Sequence, residues 1–175
     1  MRKNLTEHNR VINMTITDNS NFLSPYCQEG KPVISSEVAD FLENCANEFH
    51  PKENFDLCIT GKTLTEAEKT TYQEAIRNYY KLKLVDLVRT IKRKNTFGFF
   101  WILIGVITLS IMIVFTNLDL NKVMIECIDI FAWVFIWEAV DTMFVQRGGT
   151  LLQIKRTENF IKMKITFVEK EGNPN

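Results

Sequence analysis

The sequence predicts an α+β cytoplasmic domain with a two-helix transmembrane hairpin inserted before its last strand. Two apolar runs, at 97–116 and 123–145, each approach the about 20 residues that a helix needs to cross a bilayer. Three other segments alternate apolar and polar residues, which is the period of a half-buried strand. Lys and Arg lie before the first run and after the second, whereas the connecting loop contains only Lys122. By the positive-inside rule, both termini face the cytoplasm.

Two strands and a helix are predicted before the first apolar run. Residues 11–17 (VINMTIT) and 55–60 (FDLCIT) alternate and are rich in β-branched side chains, so both are expected to be strands. Between them, Ser35 or Ser36 can cap a helix over 36–49, where apolar residues recur at helical spacing.

A longer helix is predicted after the second strand. Two pairs of residues offer a capping box at its start, namely Thr63 with Glu66 and Thr65 with Glu68. Neither Pro nor Gly interrupts the following sequence until Gly98. The helix therefore either continues into the first apolar run or breaks near Asn95, and the sequence leaves both options open.

The tail of the chain is predicted to end in a third strand. Gly148 and Gly149 are expected to stop the second apolar helix, and a short helix follows. Residues 162–169 (KMKITFVE) then alternate again. Because a lone strand is marginal in water, we expect this one to pack on the N-terminal strands.

The chain is thus predicted to have three parts. These are a cytoplasmic α+β region at 1–95, a transmembrane hairpin at 96–146 with spans at 96–116 and 123–145, and a cytoplasmic tail at 147–175. The formal net charge is zero and the basic residues form no broad stripe, so we expect no nucleic-acid partner.

The second apolar run carries acidic residues and tryptophans on one half of its helix. These residues are Glu126, Asp129, Glu138, Asp141, Trp133 and Trp137. An acid near the bilayer centre costs about 2.5 to 3.5 kcal/mol, whereas each large apolar residue returns only about 0.3 to 0.6 kcal/mol. The second run is therefore expected to insert poorly into the membrane alone and to need contacts with the first run or with neighbouring copies.

Neither apolar run contains Lys, Arg or His, so the acids have no ion-pair partner there. They are left with protonation, hydrogen bonds to Thr108, Ser110 or an indole N–H, a water-filled lumen, or a cation from another chain. A functional interpretation makes them a surface for assembly or ion passage. In a plainer interpretation the acids are protonated or lie at the wet edge of a tilted helix. In another, the whole second helix lies in the membrane interface.

Two glycines on one face of the first run, Gly98 and Gly105, predict a close helix contact. We expect no catalytic, cofactor or metal site, because no triad is legible. His8 and His50 are isolated from the four cysteines. The protein is accordingly predicted not to be an enzyme.

Residues 132–147 (AWVFIWEAVDTMFVQR) resemble stretches of uncharacterised bacterial membrane proteins with two spans. The resemblance is confined to the second apolar run and its exit. It implies a multi-pass protein of the bacterial inner membrane, and it brings no activity or site residues.

Three functional hypotheses remain open. The first is a non-enzymatic inner-membrane protein whose cytoplasmic domain senses or docks a protein or small molecule, and whose hairpin forms a homo-oligomer, with perturbation or permeabilisation of the lipid bilayer as its effector action. The second is a proton or cation pathway built from Asp129 and Glu138. The third is a membrane anchor or scaffold for a soluble partner.

Overall fold

The computed structural model describes residues 10–16, 21–27, 30–51, 53–61, 64–118 and 121–169. In chain order the elements are β1 (Arg10–Thr15), α1 (Ser36–Asn47), β2 (Phe55–Gly61), α2 (Glu66–Asn117), α3 (Lys122–Val140), a π-helical turn (Asp141–Val145), α4 (Gln146–Lys162) and β3 (Ile165–Glu169). The chain divides into two compact units. Unit 1 comprises Met1–Val85 and Ile154–Asn175, and unit 2 comprises Asp86–Gln153.

The sheet of unit 1 is parallel throughout, with β2 between β1 and β3. Leu57 at the centre of β2 is paired with Ile12 of β1 and Ile165 of β3. Because side chains alternate along a strand, this register places the apolar residues of all three strands on one face. That face is buried, whereas the opposite face carries exposed residues such as Val11 and Val168.

Helices cover the buried face of the sheet and close a single hydrophobic core. Helix α1 begins where the Ser35 hydroxyl accepts a hydrogen bond from Val38 N, 3.4 Å away, and it buries residues at helical spacing. The core side chains from the helices are Ala39, Leu42, Ala46, Tyr72, Ala75, Ile76, Tyr80 and Phe160. Elements distant in sequence thus form one core.

Stacked aromatic rings join the parts of this core. The Tyr80 ring stacks on Phe160 with centroids 4.1 Å apart, and Phe160 meets Phe55 edge to face at 4.8 Å. The Phe22 ring stacks on Tyr72 at 4.1 Å. Such pairs stabilise a core beyond the burial of their area, so these rings hold α2, α4 and β2 together in unit 1.

The predicted two-helix transmembrane hairpin is wrong. In the described part of the chain, one helix, α2, is long and apolar enough to cross a membrane by length and composition. The second apolar run forms α3, which contains Lys122, Glu126, Asp129 and Glu138 in 19 residues. With these charged residues, α3 does not meet the same measure of length and apolar composition.

The helix formed by the second apolar run also does not end where the sequence predicted. Gly148 and Gly149 do not end a helix, because both lie inside α4, which the π-helical turn joins to α3. The helical stretch ends only at Lys162, and the last strand starts at Ile165 instead of residue 162. A three-stranded parallel sheet and two C-terminal helices therefore replace the predicted arrangement of a hairpin before the last strand.

Other element boundaries are close to the predicted ones. Helix α1 ends at Asn47 rather than residue 49, and α2 continues through Asn95 without a break. Thr65 and Glu68 form the capping box at the start of α2, with the Thr65 N–H donating to Glu68 Oε2 at 2.8 Å, while the alternative cap Thr63 lies outside the described residues. The predicted division at residues 95 and 146 stays a prediction.

Candidate functional site

Small residues bring α2 and α3 together in unit 2. A Cβ atom on Gly98 would collide with the side chain of Met143, and one on Gly105 would lie 2.9 Å from Ile136 Cγ1. On α3, Ala132 and Ala139 are completely buried. Because these positions have little or no side chain, the two helix backbones approach closely.

One large ring pair lies along the same contact. The rings of Trp101 and Phe135 are 5.7 Å apart between centroids and nearly parallel, at 13°. Lys94 Nζ donates a hydrogen bond to the Gln146 carbonyl at 3.3 Å. These contacts extend the α2–α3 packing into the start of α4.

Five of the predicted functional residues lie away from this contact, on what we call the outer face of α3. The outer face consists of Glu126, Asp129, Trp133, Trp137 and Glu138. At about 100° per residue, Trp137 lies about 150° around the helix from the buried alanines, and Asp129 and Glu138 lie about 70° and 110° from them in opposite directions. Trp133 and Trp137 are 63% and 71% exposed within the chain. The outer face therefore covers about half of the helix circumference, and its residues are exposed apart from Asp129, which is half-buried.

The three carboxylates of the outer face have no partner among the described residues. The structure gives Glu126, Asp129 and Glu138 neither a hydrogen bond nor an ion pair there. Their expected partners in the first run are engaged elsewhere, since the Thr108 hydroxyl donates to Ile104 O and the Ser110 hydroxyl to Val106 O. Intrahelical bonds of this kind satisfy a hydroxyl without a neighbouring helix.

Asp141 differs from the other acids, because it starts the π-helical turn. Its Oδ2 accepts a hydrogen bond from Gln146 Nε2 at 2.8 Å, so this carboxylate has a local partner. Nearby on the two helices, Asn95 Oδ1 and Arg147 Nε are buried without a hydrogen-bond partner in the described structure. A π-helical turn often marks a functional position in a helix.

The exterior of unit 2 is otherwise strongly apolar. Large apolar side chains point outward along both helices, and they include Phe99, Leu103, Ile107, Phe131, Val134 and Phe144. Only 11% of the most apolar 18-residue stretch of α2 is buried. This surface is far more extensive than the scattered apolar residues that a water-soluble monomer exposes, which supports membrane association by length and composition.

The titratable side chains described in unit 1 form no metal-binding cluster. The described residues contain no group of three or more His, Cys, Asp or Glu that could hold a metal ion. Burial raises the pKa of the Cys45 thiol, with a further contribution from the nearby Glu48 carboxylate, so this cysteine is a poor nucleophile.

Sequence reasoning missed a cavity of about 490 Å³ in unit 1. It lies between β1 and α1, and its lining includes Asn13, Thr15, Phe22, Val38 and Phe41. One signal for it was present in the sequence. Val38 and Phe41 are spaced i, i+3, which places both apolar side chains on one face of α1, and residues 11–16 of the neighbouring strand carry no charge.

The five residues of the outer face are spread over about half of the circumference of α3. Asp141 belongs to the π-helical turn, and Gly98 and Gly105 belong to the helix contact. Their functional roles stay predictions.

Comparison of the chain with protein-family models, with curated proteins and with solved structures gives no match.

Proposed function

We propose that this is a non-enzymatic membrane protein that assembles with copies of itself through the outer face of α3, while unit 1 docks a cytoplasmic protein or small molecule. The observation that carries the proposal is the inverted packing of unit 2. Its most buried positions are glycine, alanine and threonine, and its exterior is built of large apolar side chains. Helices that associate in lipid are packed in this way, because lipid replaces water as the outer solvent.

The distribution of basic residues supports a cytoplasmic position for unit 1. Just before the apolar stretch, α2 carries Arg89, Lys92, Arg93 and Lys94, which suit the anionic headgroups of a cytoplasmic leaflet. Both β1 and β3 belong to the sheet of unit 1. The segments before and after the apolar helices therefore share one compartment. We propose that this compartment is the cytoplasm of a bacterium and that α2 crosses the inner membrane.

The unpartnered acids of the outer face supply the reason for assembly. A charged or polar group that faces lipid without a partner costs several kcal/mol, typically about 2.5 to 3.5 kcal/mol for an acid on the insertion scale. Neighbouring copies would bring two indole N–H donors each, from Trp133 and Trp137, to the carboxyl groups of Asp129 and Glu138. Contact between outer faces would satisfy these groups and remove them from lipid.

The experiment is to replace Asp129 and Glu138 by Leu together and measure the mass of the protein in nanodiscs or detergent by light scattering. We expect the double variant to remain in membranes and to lose the oligomer, because the acids that need a partner are gone. Glu126→Leu is the matched control, since Glu126 lies near the start of α3, and it should change the mass less. An unchanged oligomer in the double variant would contradict assembly through this face.

A second function, a proton or cation pathway, is favoured by the same unpartnered carboxylates of Asp129 and Glu138. Carboxylates that line a path for cations act through their charge. Glu138→Gln should then reduce cation conductance across a reconstituted bilayer, whereas assembly through a protonated acid should tolerate this nearly isosteric amide. Equal conductance of protein-free and protein-containing bilayers would exclude the pathway.

A further inference from the structure

The outer edge of β1 offers main-chain hydrogen bonds that no described strand uses. In the sheet β1 is paired with β2 on one side only. Ile16 N donates to Thr60 O at 2.8 Å, so the main-chain groups of alternate residues, Met14 and Ile16 among them, point toward β2. By strand geometry, the N–H and C=O groups of Asn13 and Thr15 point to the free edge.

This edge lacks the features that usually protect an edge strand from pairing. Residues 11–16 (VINMTI) contain no charge, proline or glycine. Natural edge strands carry such residues because an uncharged free edge pairs readily with another chain. The charged residue of β1, Arg10, lies at its start and is paired with Glu53 at 3.3 Å. The exposed edge of β1 is therefore suited to adding a strand.

A groove with apolar walls runs beside this edge. The cavity of about 490 Å³ between β1 and α1 is lined by Asn13, Thr15, Phe22, Val38 and Phe41, among others. Phe41 is 42% exposed although it is a large apolar residue. On a strand added to β1, alternate side chains would point toward α1, and the cavity can accept apolar ones.

The helix that walls the groove has a negative charge. Glu37 and Asp40 are exposed on α1, which contains no Lys or Arg, and Glu37 also lines the cavity itself. The third acid of α1, Glu43, is paired with Lys83 at 2.6 Å. The exposed carboxylates favour an occupant that carries basic side chains near the groove.

We propose that β1 and α1 bind an extended, basic peptide segment of a partner protein, which adds to the sheet as a fourth strand. The segment forms main-chain hydrogen bonds with Asn13 and Thr15, places apolar side chains in the groove, and sets Lys or Arg beside the carboxylates of α1. Binding by strand addition takes its affinity from the main chain and its selectivity from alternate side chains. The assignment rests on the docking role proposed for unit 1 and names its partner class.

The test uses the full-length protein in nanodiscs and a capped, fluorescently labelled heptapeptide, KTVTVTK. Its Lys and Val residues share one face of a strand, with Lys at both ends. Fluorescence anisotropy should show saturable binding that is at least about tenfold tighter than for the acidic peptide ETVTVTE, because a few charge-assisted contacts supply a factor of this size. No saturable binding of KTVTVTK, or equal binding of both peptides, would overturn the proposal.

A matched pair of variants tests the edge itself. Asn13→Pro removes an outward N–H and is tolerated at an edge strand whose N–H faces outward, so it should weaken KTVTVTK binding about tenfold or more by removing a hydrogen bond and blocking the approach. Asn13→Val keeps the N–H and should bind as the native protein does. Circular dichroism of both variants establishes that the fold is kept, and equal peptide affinities of the two folded variants would overturn strand addition.

A second copy of the chain is the competing occupant of this edge. Light scattering without peptide distinguishes it, because a mass that falls in Asn13→Pro but not in Asn13→Val means that copies pair through β1, which overturns the peptide assignment. The assembly proposed for α3 is tested separately by the Asp129 and Glu138 variants. Either proposal can therefore fail without the other.

Discussion

Unit 1 and unit 2 distribute their apolar side chains in opposite directions. In unit 1 the largest apolar residues, such as Leu57 and Ile76, are inside, and the helices present charged residues to the outside. In unit 2 the interior positions are Gly98, Gly105 and Ala132, while large side chains such as Phe99 point outward. The same chain thus contains one unit built for water and one whose exterior suits an apolar solvent.

Unit 1 and unit 2 are accordingly each stabilised by different forces. Unit 1 gains stability from moving large apolar side chains out of water, at about 25 cal/mol per Å² of buried apolar surface. In an apolar solvent that gain disappears, and close packing of backbones and side chains is what remains. A substitution that enlarges a side chain should therefore be tolerated on the exterior of unit 2, and it should lower the stability of unit 2 at its inner positions.

The largest predicted effect tests the apolar exterior of unit 2. Leu103→Arg combined with Ile107→Arg places two charges on exposed positions of α2. On the proposed membrane placement each charge costs about 2.5 to 3.5 kcal/mol, so the double variant should lose most of its binding to lipid vesicles. Flotation of the protein with vesicles through a density gradient measures the bound fraction.

The control for this variant is Val85→Arg. Val85 is 56% exposed and belongs to the same helix, but it lies in unit 1. Its replacement should leave the floating fraction unchanged. If the double variant floats as well as the native protein, the exterior of unit 2 does not face lipid.

The next largest effect concerns the opposite behaviour of unit 1. Ile165 is buried in β3 and is paired with Leu57, so Ile165→Ala should lower the free energy of unfolding of unit 1 by about 2 to 4 kcal/mol through the cavity it leaves. Val168→Ala, on the exposed face of the same strand, should cost much less. Denaturant unfolding followed by the fluorescence of the core tyrosines compares them, and equal losses would mean that β3 does not contribute to the core.

Local patterns in the sequence were sufficient to predict the strands and the capping box. The alternation at 55–60 reflects a strand with one buried face, and Thr65 with Glu68 is a local signal that tertiary structure did not override. The parallel pairing of β3 with β2 joins residues about a hundred positions apart, and nothing local encodes the direction of such pairing.

The hairpin prediction failed although it counted the acids of the second run, because it expected contacts with the first run or with other copies to compensate their cost. Residues 123–145 are apolar enough to resemble a span, but Glu126, Asp129 and Glu138 belong to the helix itself. Gly148 was expected to stop the helix, although a helix interior can hold glycine at a cost of about 1 kcal/mol when packing compensates. The spacing of Val38 and Phe41 indicates one apolar face of α1, but the groove itself depends on how α1 packs against the edge of the sheet, which no local pattern encodes.

Glycine substitutions should sharpen the comparison at the inner positions of unit 2. Gly105→Val puts a branched side chain where Ile136 Cγ1 already lies 2.9 Å from an added Cβ, and overpacking of this kind costs about 1 to 3 kcal/mol. Thermal unfolding in detergent should therefore show a lower midpoint. Gly149→Ala is the matched control, because nothing lies within 4 Å of its Cβ position in α4. It should raise the midpoint slightly by improving helix propensity, and equal effects of the two would contradict the close α2–α3 contact.

A smaller effect is expected inside unit 1 at Tyr80. Its ring is 1% exposed, and its hydroxyl has no hydrogen-bond partner in the described structure. Burial raises the pKa of this phenol far above its ordinary value, with added contributions from Glu43, Tyr79 and Asp40, so the group stays protonated. Tyr80→Phe keeps the stacking on Phe160 and removes an unsatisfied polar atom, which should raise the free energy of unfolding by about 1 kcal/mol. Destabilisation in a denaturant titration would mean that the hydroxyl has a partner in solution.

The smallest effect is the pH dependence of the cap that starts α2 in unit 1. The Thr65 backbone N–H, and then the Thr65 hydroxyl, donate to Glu68 and lower the pKa of its carboxyl. A lowered pKa in the folded state contributes stability above the unfolded pKa of about 4.3, and this stability is lost as the pH falls through the folded value. Because Glu68→Gln keeps the shape of the cap and removes the titrating charge, the native protein should be slightly more stable than the variant at neutral pH, and the difference should vanish on acidification below the folded pKa. Thermal unfolding of both proteins across the acidic range measures it, and a difference that is constant with pH would show that the Glu68 charge does not stabilise α2.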